Sequence, residues 1–459
     1  MTEPKSASSS LRTLGLFSVL CIGINAIIGS GIYKLPGRLS YELGPASWLG
    51  FGLCALLLVA VALCFAEASG IFESTGGPYV YAREAFGTPV GFVVGWTAWV
   101  TMVTSWGAVA NAIPAYLGRF FPALGAGLGA KLVVLAVIGG LGVVNYYGVR
   151  PGAFTTNFFT VAKIVPLAVF VLLGLAHLGA ANLALVPAAS SAAVASGARA
   201  GVGAALGAAL FVALFPLQGF ETAPVPAGET ANPRRNVPIA VIGSLLGCAL
   251  FYVLIQVVAQ GTMPAIATSA ASETPEAPWS PRPLADAASA FMGGWGASFL
   301  SLGACISMIG YCAGAALVTP RFLAAMAGDG LLPAPLTRRH TRFDSPHVAI
   351  LSTTVVSLVA GMLLDFDKLV DFSNISVIMQ YAGTCAAVTR LRYSRPEATR
   401  SYRVPGGAWL VPGVGIGICA LLAWQATSKE FLFCAGSIAV GILLAVATRR
   451  LRRATVSAE

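Results

Sequence analysis

Long runs without a single charge constrain this chain more than any other feature. No charged residue falls between Glu42 and Glu67, between Glu84 and Arg119, between Arg235 and Glu273, or between Asp286 and Arg321. Backbone amides in hydrocarbon must be satisfied within the chain. Apolar runs of about 20 residues therefore read as membrane-crossing helices. Twelve such segments are expected, near 14–40, 45–72, 90–118, 130–148, 152–178, 201–225, 237–260, 288–326, 346–365, 369–391, 408–426 and 429–448. The fold class expected is an all-α integral membrane protein. No polar block is long enough to bury a core of its own, and the first segment lacks the cleavage pattern of a signal peptide.

The formal charge of +10 would suit a nucleic-acid or acidic partner, but its distribution argues for topology instead. With the N-terminus inside, nineteen of the 28 Lys and Arg fall on the inner side, eight fall outside, and Lys163 lies within a span. That bias sets both termini on the cytoplasmic side of a plasma or inner membrane. The basic stretch at 390–403 then serves topology and contact with anionic lipid. No nucleic-acid partner is expected. All nine cysteines lie in apolar segments with no CxxC and no Cys/His ligand spacing, so neither a disulfide framework nor a metal or other cofactor is expected. The stretch at 73–87 reads as a short inner helix lying on the bundle, and 262–283, rich in Pro, Ser and Ala, as an external loop.

Two spans are interrupted. In the first, Gly29, Ser30 and Gly31 stand where a membrane helix favours large aliphatic residues. Glycine weakens a helix by about 1 kcal/mol relative to alanine. Unwound backbone is tolerated at this depth only where it is buried in protein or lines a polar cavity. A break here presents free N–H groups, and the positive end of the following half-helix, to an anion such as a carboxylate. In the sixth span Phe215-Pro216-Leu217-Gln218-Gly219-Phe220-Glu221 combines a proline with glycine, glutamine and glutamate. Proline removes a backbone donor and clashes with the preceding turn. The two interruptions are five spans apart and would run in opposite directions. That is the pointer to an inverted-repeat secondary transporter with a midplane site.

Four stretches carry a resemblance to a known family: Gly29-Ser30-Gly31-Ile32-Tyr33; Gly76-Gly77-Pro78 through Gly87; Gly219-Phe220-Glu221 running on to Asn232-Pro233-Arg234-Arg235; and Pro320-Arg321 through Leu332-Pro333. In their order and spacing the chain resembles the amino acid–polyamine–organocation family of amino acid transporters. The resemblance implies a five-plus-five inverted repeat, with 14–178 and 201–391 as the halves, and two additional helices at 408–448. It also implies alternating access around a site between spans 1, 3, 6, 8 and 10. Carried over residue by residue, the substrate site draws on Gly29, Ser30 and Gly31 of the first break and Gly219 of the second, with the substrate carboxylate at the Ser30 and Gly31 backbone and the Ser30 hydroxyl as an extra donor. Its ammonium meets carbonyls at Ile27, Phe215 and Gln218, and Phe215 or Phe220 forms an aromatic gate. Gln218 either selects a polar side chain or packs against polar groups elsewhere.

Lys163 is the embedded cation. Placing one at mid-membrane costs at least ~2.5–3.5 kcal/mol, so it must face the bundle and find acceptors. In sodium-independent members of the family a lysine at a similar place stands where sodium-coupled relatives hold the cation. By that resemblance Lys163 bonds carbonyls around Gly23 to Ala26 and reaches Ser301 or Ser307. A lysine held away from water is also a group able to release and retake a proton. Glu221 either accepts a proton or bonds amides freed by the second break. Nothing in the chain pairs a nucleophile with a base or clusters metal ligands, so an enzyme is not expected. The reading is an amino acid transporter, by proton symport or by exchange of amino acids or polyamines, with a non-transporting sensor as the remaining class. The lack of a mid-span carboxylate in spans 3 and 10 points to neutral L-amino acids.

Overall fold

The computed structural model describes residues 14–147, 153–183, 202–263, 279–343 and 345–456. Most of the 262–283 loop lies outside the described residues, as do Lys5, Arg12, Arg150 and Arg199. Among the described residues the chain is helical throughout, and its one β-bridge joins Leu14 to Thr230.

The first half contains α1 (Leu16–Ile27), α2 (Gly31–Leu43), α3 (Trp48–Ile71), α4 (Pro78–Phe86), α5 (Thr88–Leu117), α6 (Gly127–Tyr146) and α7 (Ala153–Gly174). The second contains α8 (Val202–Leu217), α9 (Pro233–Thr262), α10 (Pro283–Gly328), α11 (His347–Leu363) and α12 (Phe366–Ser394), followed by α13 (Leu410–Ala423) and α14 (Ser428–Val456). Eight helices among these are long and apolar enough to cross a membrane, and nine when α1 and α2 are taken as one span bent by 45°. The chain is thus an integral, multi-pass membrane protein.

Eight or nine is fewer than the twelve expected from the sequence, and the reason is local. The helices α11 and α13 have only 17 and 14 residues. The apolar run of α12 is diluted by Ser373, Asn374, Ser376 and Gln380, all buried inside the bundle. Buried polar residues of this kind hold membrane helices together by hydrogen bonds. Asn374 Nδ2 donates to the Phe211 carbonyl of α8 at 2.8 Å. Likewise Asn111 Nδ2 of α5 donates to the Gly361 carbonyl of α11 at 2.8 Å.

The centre of the bundle is α5, 94% of whose apolar window is buried, packed against α10 and α12. The short helix expected within 73–87 is α4, opened by Pro78 in its first turn and closed at Gly87. It lies at the basic end of the bundle. There Asp329, just past α10, accepts hydrogen bonds from Tyr79 and Arg83, and Glu84 pairs with Arg395 at 2.5 Å. At the same end Glu67 of α3 is fully buried, and Arg392 of α12 grips both of its carboxylate oxygens, at 2.8 and 2.5 Å. The Val404 amide donates to the same carboxylate at 2.8 Å, which fastens the 395–409 connection to the bundle.

The broken spans lie side by side. The half-helix α2 packs along α8, and α1 packs against the turn Phe220–Thr222 that follows α8. Each half beyond a break thus faces the other span's half before its break, so the two run in opposite directions with their breaks abutting.

Candidate functional site

Both breaks open where the sequence places the small residues. Helix α1 stops at Ile27, and the ladder of α2 begins with the Tyr33 and Lys34 amides donating to the Ser30 carbonyl at 3.1 and 3.0 Å. The amides of Ser30, Gly31 and Ile32 therefore sit ahead of that ladder, at the positive end of α2. In the sixth span α8 ends at Leu217, and Gly219 turns the chain with φ 130°, a backbone conformation open to glycine and strained for other residues.

Close approach accounts for two of the glycines. A Cβ on Gly31 would stand 2.8 Å from the Cα of Pro216, and one on Gly219 would stand 2.5 Å from the carbonyl carbon of Ala26. Backbone meets backbone at both contacts. The glycines allow the two unwound segments to touch.

Ala26, Ile27, Gly29, Ser30, Gly31, Phe215, Pro216 and Gln218 border one cavity, joined by Ser105 and Val109 of α5 and Tyr311 of α10. The space is about 10 Å³, room for roughly one water molecule. Its polar side is continuous: Ser105 Oγ and Ser373 Oγ are 2.7 Å apart, and Ser373 Oγ donates to Gln218 Oε1 at 3.2 Å.

Not every expected site residue reaches this cavity. Phe215 does, and it also packs edge-on against Phe366, ring centroids 6.1 Å apart. Phe220 does not: beyond the Gly219 turn it joins Phe65 and Tyr381, with centroids at 5.7 and 5.3 Å. The Ile27 carbonyl accepts from the Gly29 amide and from Tyr252 Oη, both at 3.0 Å. An ammonium arriving there has to displace one of them. Glu221 Oε2 accepts from the Gly219 amide at 2.8 Å and from Tyr381 Oη at 2.9 Å, so this carboxyl braces the second break.

Lys163 of α7 is completely buried, and its Nζ donates to the Ile28 carbonyl at 2.6 Å and the Asn25 carbonyl at 3.2 Å. It reaches two residues further into the break than the Gly23-to-Ala26 stretch expected. Ser307 Oγ of α10 meets the Ile28 and Gly29 carbonyls at 3.3 Å each, and Thr160 Oγ1 donates to the Cys21 carbonyl at 3.2 Å. Ser301 turns away and donates to its own helix at Ala297, 2.7 Å. Ser301 and Ser307 are six residues apart, about 240° around a helix, so only one of them faces α1.

Tyr252 and Tyr311 were not singled out in the sequence. A tyrosine in an apolar helix carries no periodic signal that separates a cavity-lining ring from a packed one.

The amino acid permease family matches residues 14–444. Among individual proteins, the chain is 26% identical to the branched-chain amino acid permease BcaP of Bacillus subtilis, over 90% of this chain and 87% of that protein. It is 27% identical to the serine/threonine exchanger SteT of the same organism, over 94% of each. It is also 26% identical to the vacuolar cationic amino acid transporter 4 of Arabidopsis thaliana, over 84% of this chain and 64% of that protein.

Proposed function

From the premise that this chain belongs to the amino acid permease family, we propose that it is a secondary active transporter carrying L-amino acids by alternating access around the cavity between its two breaks. The substrate carboxylate is held by the amides of Ser30 and Gly31 at the positive end of α2. The ammonium meets carbonyls at Ile27, Phe215 and Gln218, and Phe215 closes over it. In this reading the chain crosses the plasma membrane twelve times as two inverted repeats of five plus two further helices, with both termini cytoplasmic and the basic end inside.

Transport is sodium-independent and driven by proton symport. The observation that carries this is Lys163, whose ammonium bridges the Asn25 and Ile28 carbonyls at the end of α1. That ammonium already fills acceptors that a sodium ion would need. Those same bonds hold α1 against α7, and a neutral amine holds carbonyls less strongly than an ammonium does. Loss of the proton therefore loosens the contact that keeps α1 in place.

The test is uptake of labelled amino acids into sodium-free proteoliposomes, empty or preloaded with unlabelled amino acid, with and without an inward proton gradient. Gradient-driven accumulation in empty vesicles is expected. Uptake only into loaded vesicles would replace symport by exchange, the mode named for the similar serine/threonine exchanger. Absence of any flux without sodium would overturn the role given to Lys163.

A further inference from the structure

Two buried polar atoms bordering the cavity lack hydrogen-bond partners: Ser30 Oγ and Gln218 Nε2. Ser30 is fully buried and Gln218 is 6% exposed, so neither is satisfied by bulk solvent. An unpaired donor buried in protein carries the full cost of its lost hydration, and a group in that position calls for a specific acceptor.

The carboxamide of Gln218 is oriented by its neighbours. Its Oε1 accepts from Ser373 Oγ, which is in turn paired with Ser105 Oγ. With the oxygen tethered to α12, the buried amide nitrogen of this cavity-lining residue keeps two N–H donors unpaired. The other side-chain walls include Ser105, Val109, Phe215, Pro216 and Tyr311, with no side-chain charge among the lining residues.

We propose that Gln218 is the specificity determinant of this site, and that the site takes amino acids whose side chain is small, neutral and ends in a hydrogen-bond acceptor: a hydroxyl or a carboxamide. The inference rests on the reading above, in which the Ser30 and Gly31 amides hold the carboxylate. Ser30 Oγ then serves that end of the substrate and Gln218 Nε2 its side chain.

The same chemistry disfavours three other classes. Ammonium and guanidinium side chains are donors only and would set donor against donor. A carboxylate side chain would enter the cavity with no cation to meet it. A branched aliphatic chain of equal size would leave Nε2 unpaired. A site built to hydrogen-bond a substrate group discriminates strongly against the analogue that lacks it, by far more than the ~10–200-fold that a hydrophobic pocket achieves over one methylene.

The experiment compares near-isosteric pairs in proteoliposomes: serine with 2-aminobutyrate, threonine with valine, asparagine with leucine. In the natural protein, kcat/KM for the polar member is expected to exceed that for the apolar member by more than ~200-fold. In Gln218→Leu the ratio of the two kcat/KM values should fall to near one or invert. Ser373→Ala, which frees the carboxamide to rotate, should narrow the ratio without abolishing uptake, and it covers the case in which Gln218→Leu does not fold. Flux in the natural protein with no polar preference would overturn the proposal while leaving the transporter reading intact. So would an unchanged ratio in the folded variants. Absence of flux for every amino acid would remove the transporter reading itself.

Discussion

Gly219 lies directly against Ala26: a Cβ built on it would come within 2.7 Å of the Ala26 carbonyl oxygen. The two residues belong to different broken spans, and this contact is where the spans meet. Gly219→Ala combines a clash against backbone with a strained φ of 130°. Strain of this kind costs about 1–3 kcal/mol, and the clash adds to it. The variant is expected to lower the thermal midpoint in detergent and to reduce uptake at least tenfold. Normal uptake would show that the breaks need not touch.

Removing Lys163 leaves the Asn25 and Ile28 carbonyls without their buried donor, although Ser307 still reaches Ile28. A buried acceptor left unsatisfied costs about 1–3 kcal/mol. Lys163→Ala is expected to cut gradient-driven uptake by more than tenfold and to abolish its pH response. Initial rates across a pH series check this. Full, pH-sensitive transport by Lys163→Ala would end the coupling role.

Glu221 separates bracing from proton coupling. Its Oε2 accepts from Gly219 and Tyr381, and a glutamine presents an amide oxygen to the same two donors. Glu221→Gln is therefore expected to keep coupled uptake within about threefold of normal, whereas Glu221→Ala loses a charge-assisted pair worth about 1.5–3 kcal/mol per bond. Gradient-driven uptake by both variants is the measurement. Selective loss of proton coupling in Glu221→Gln would move the proton from Lys163 to Glu221.

The Glu67–Arg392 pair carries a prediction about stability. Both side chains are buried and doubly hydrogen-bonded, at 2.8 and 2.5 Å. Removing one partner of a buried pair costs up to about 3–5 kcal/mol, and here Arg400 Nε, 3.4 Å from Glu67 Oε1, offsets part of that loss. Arg392→Met should unfold at a clearly lower temperature than the natural protein, and adding Glu67→Gln should restore part of the loss. Thermal unfolding of the single and double variants would check it. Additive losses would show that the two side chains do not act as a unit.

Much of the fold was legible along the chain. The charge-free runs marked the bundle, the Gly-Gly-Pro turn marked the start of α4, and the small residues marked both breaks. Lys163 stood out because a cation in hydrocarbon has no bland explanation. These signals are local: propensity, charge and transfer energy belong to each residue whatever its neighbours. Polar residues such as Ser373 and Asn374 dilute the apolar run of α12 for reasons that lie in its partners.

The sequence by itself determined that the chain is a helical membrane protein, that two of its helices break, and that one buried amine must find acceptors. Only the tertiary structure decided which carbonyls that amine takes and that Ser307 rather than Ser301 faces them. It also decided that Phe215 borders the cavity while Phe220 does not, and that Ser105, Gln218 and Tyr311 share one small space, with Ser373 bonded to Ser105 and Gln218. The physical reason is distance along the chain. Hydrogen bonds between residues more than a hundred positions apart depend on helix rotation and crossing, which are set by the packing of the whole bundle and leave no periodic mark in any one segment.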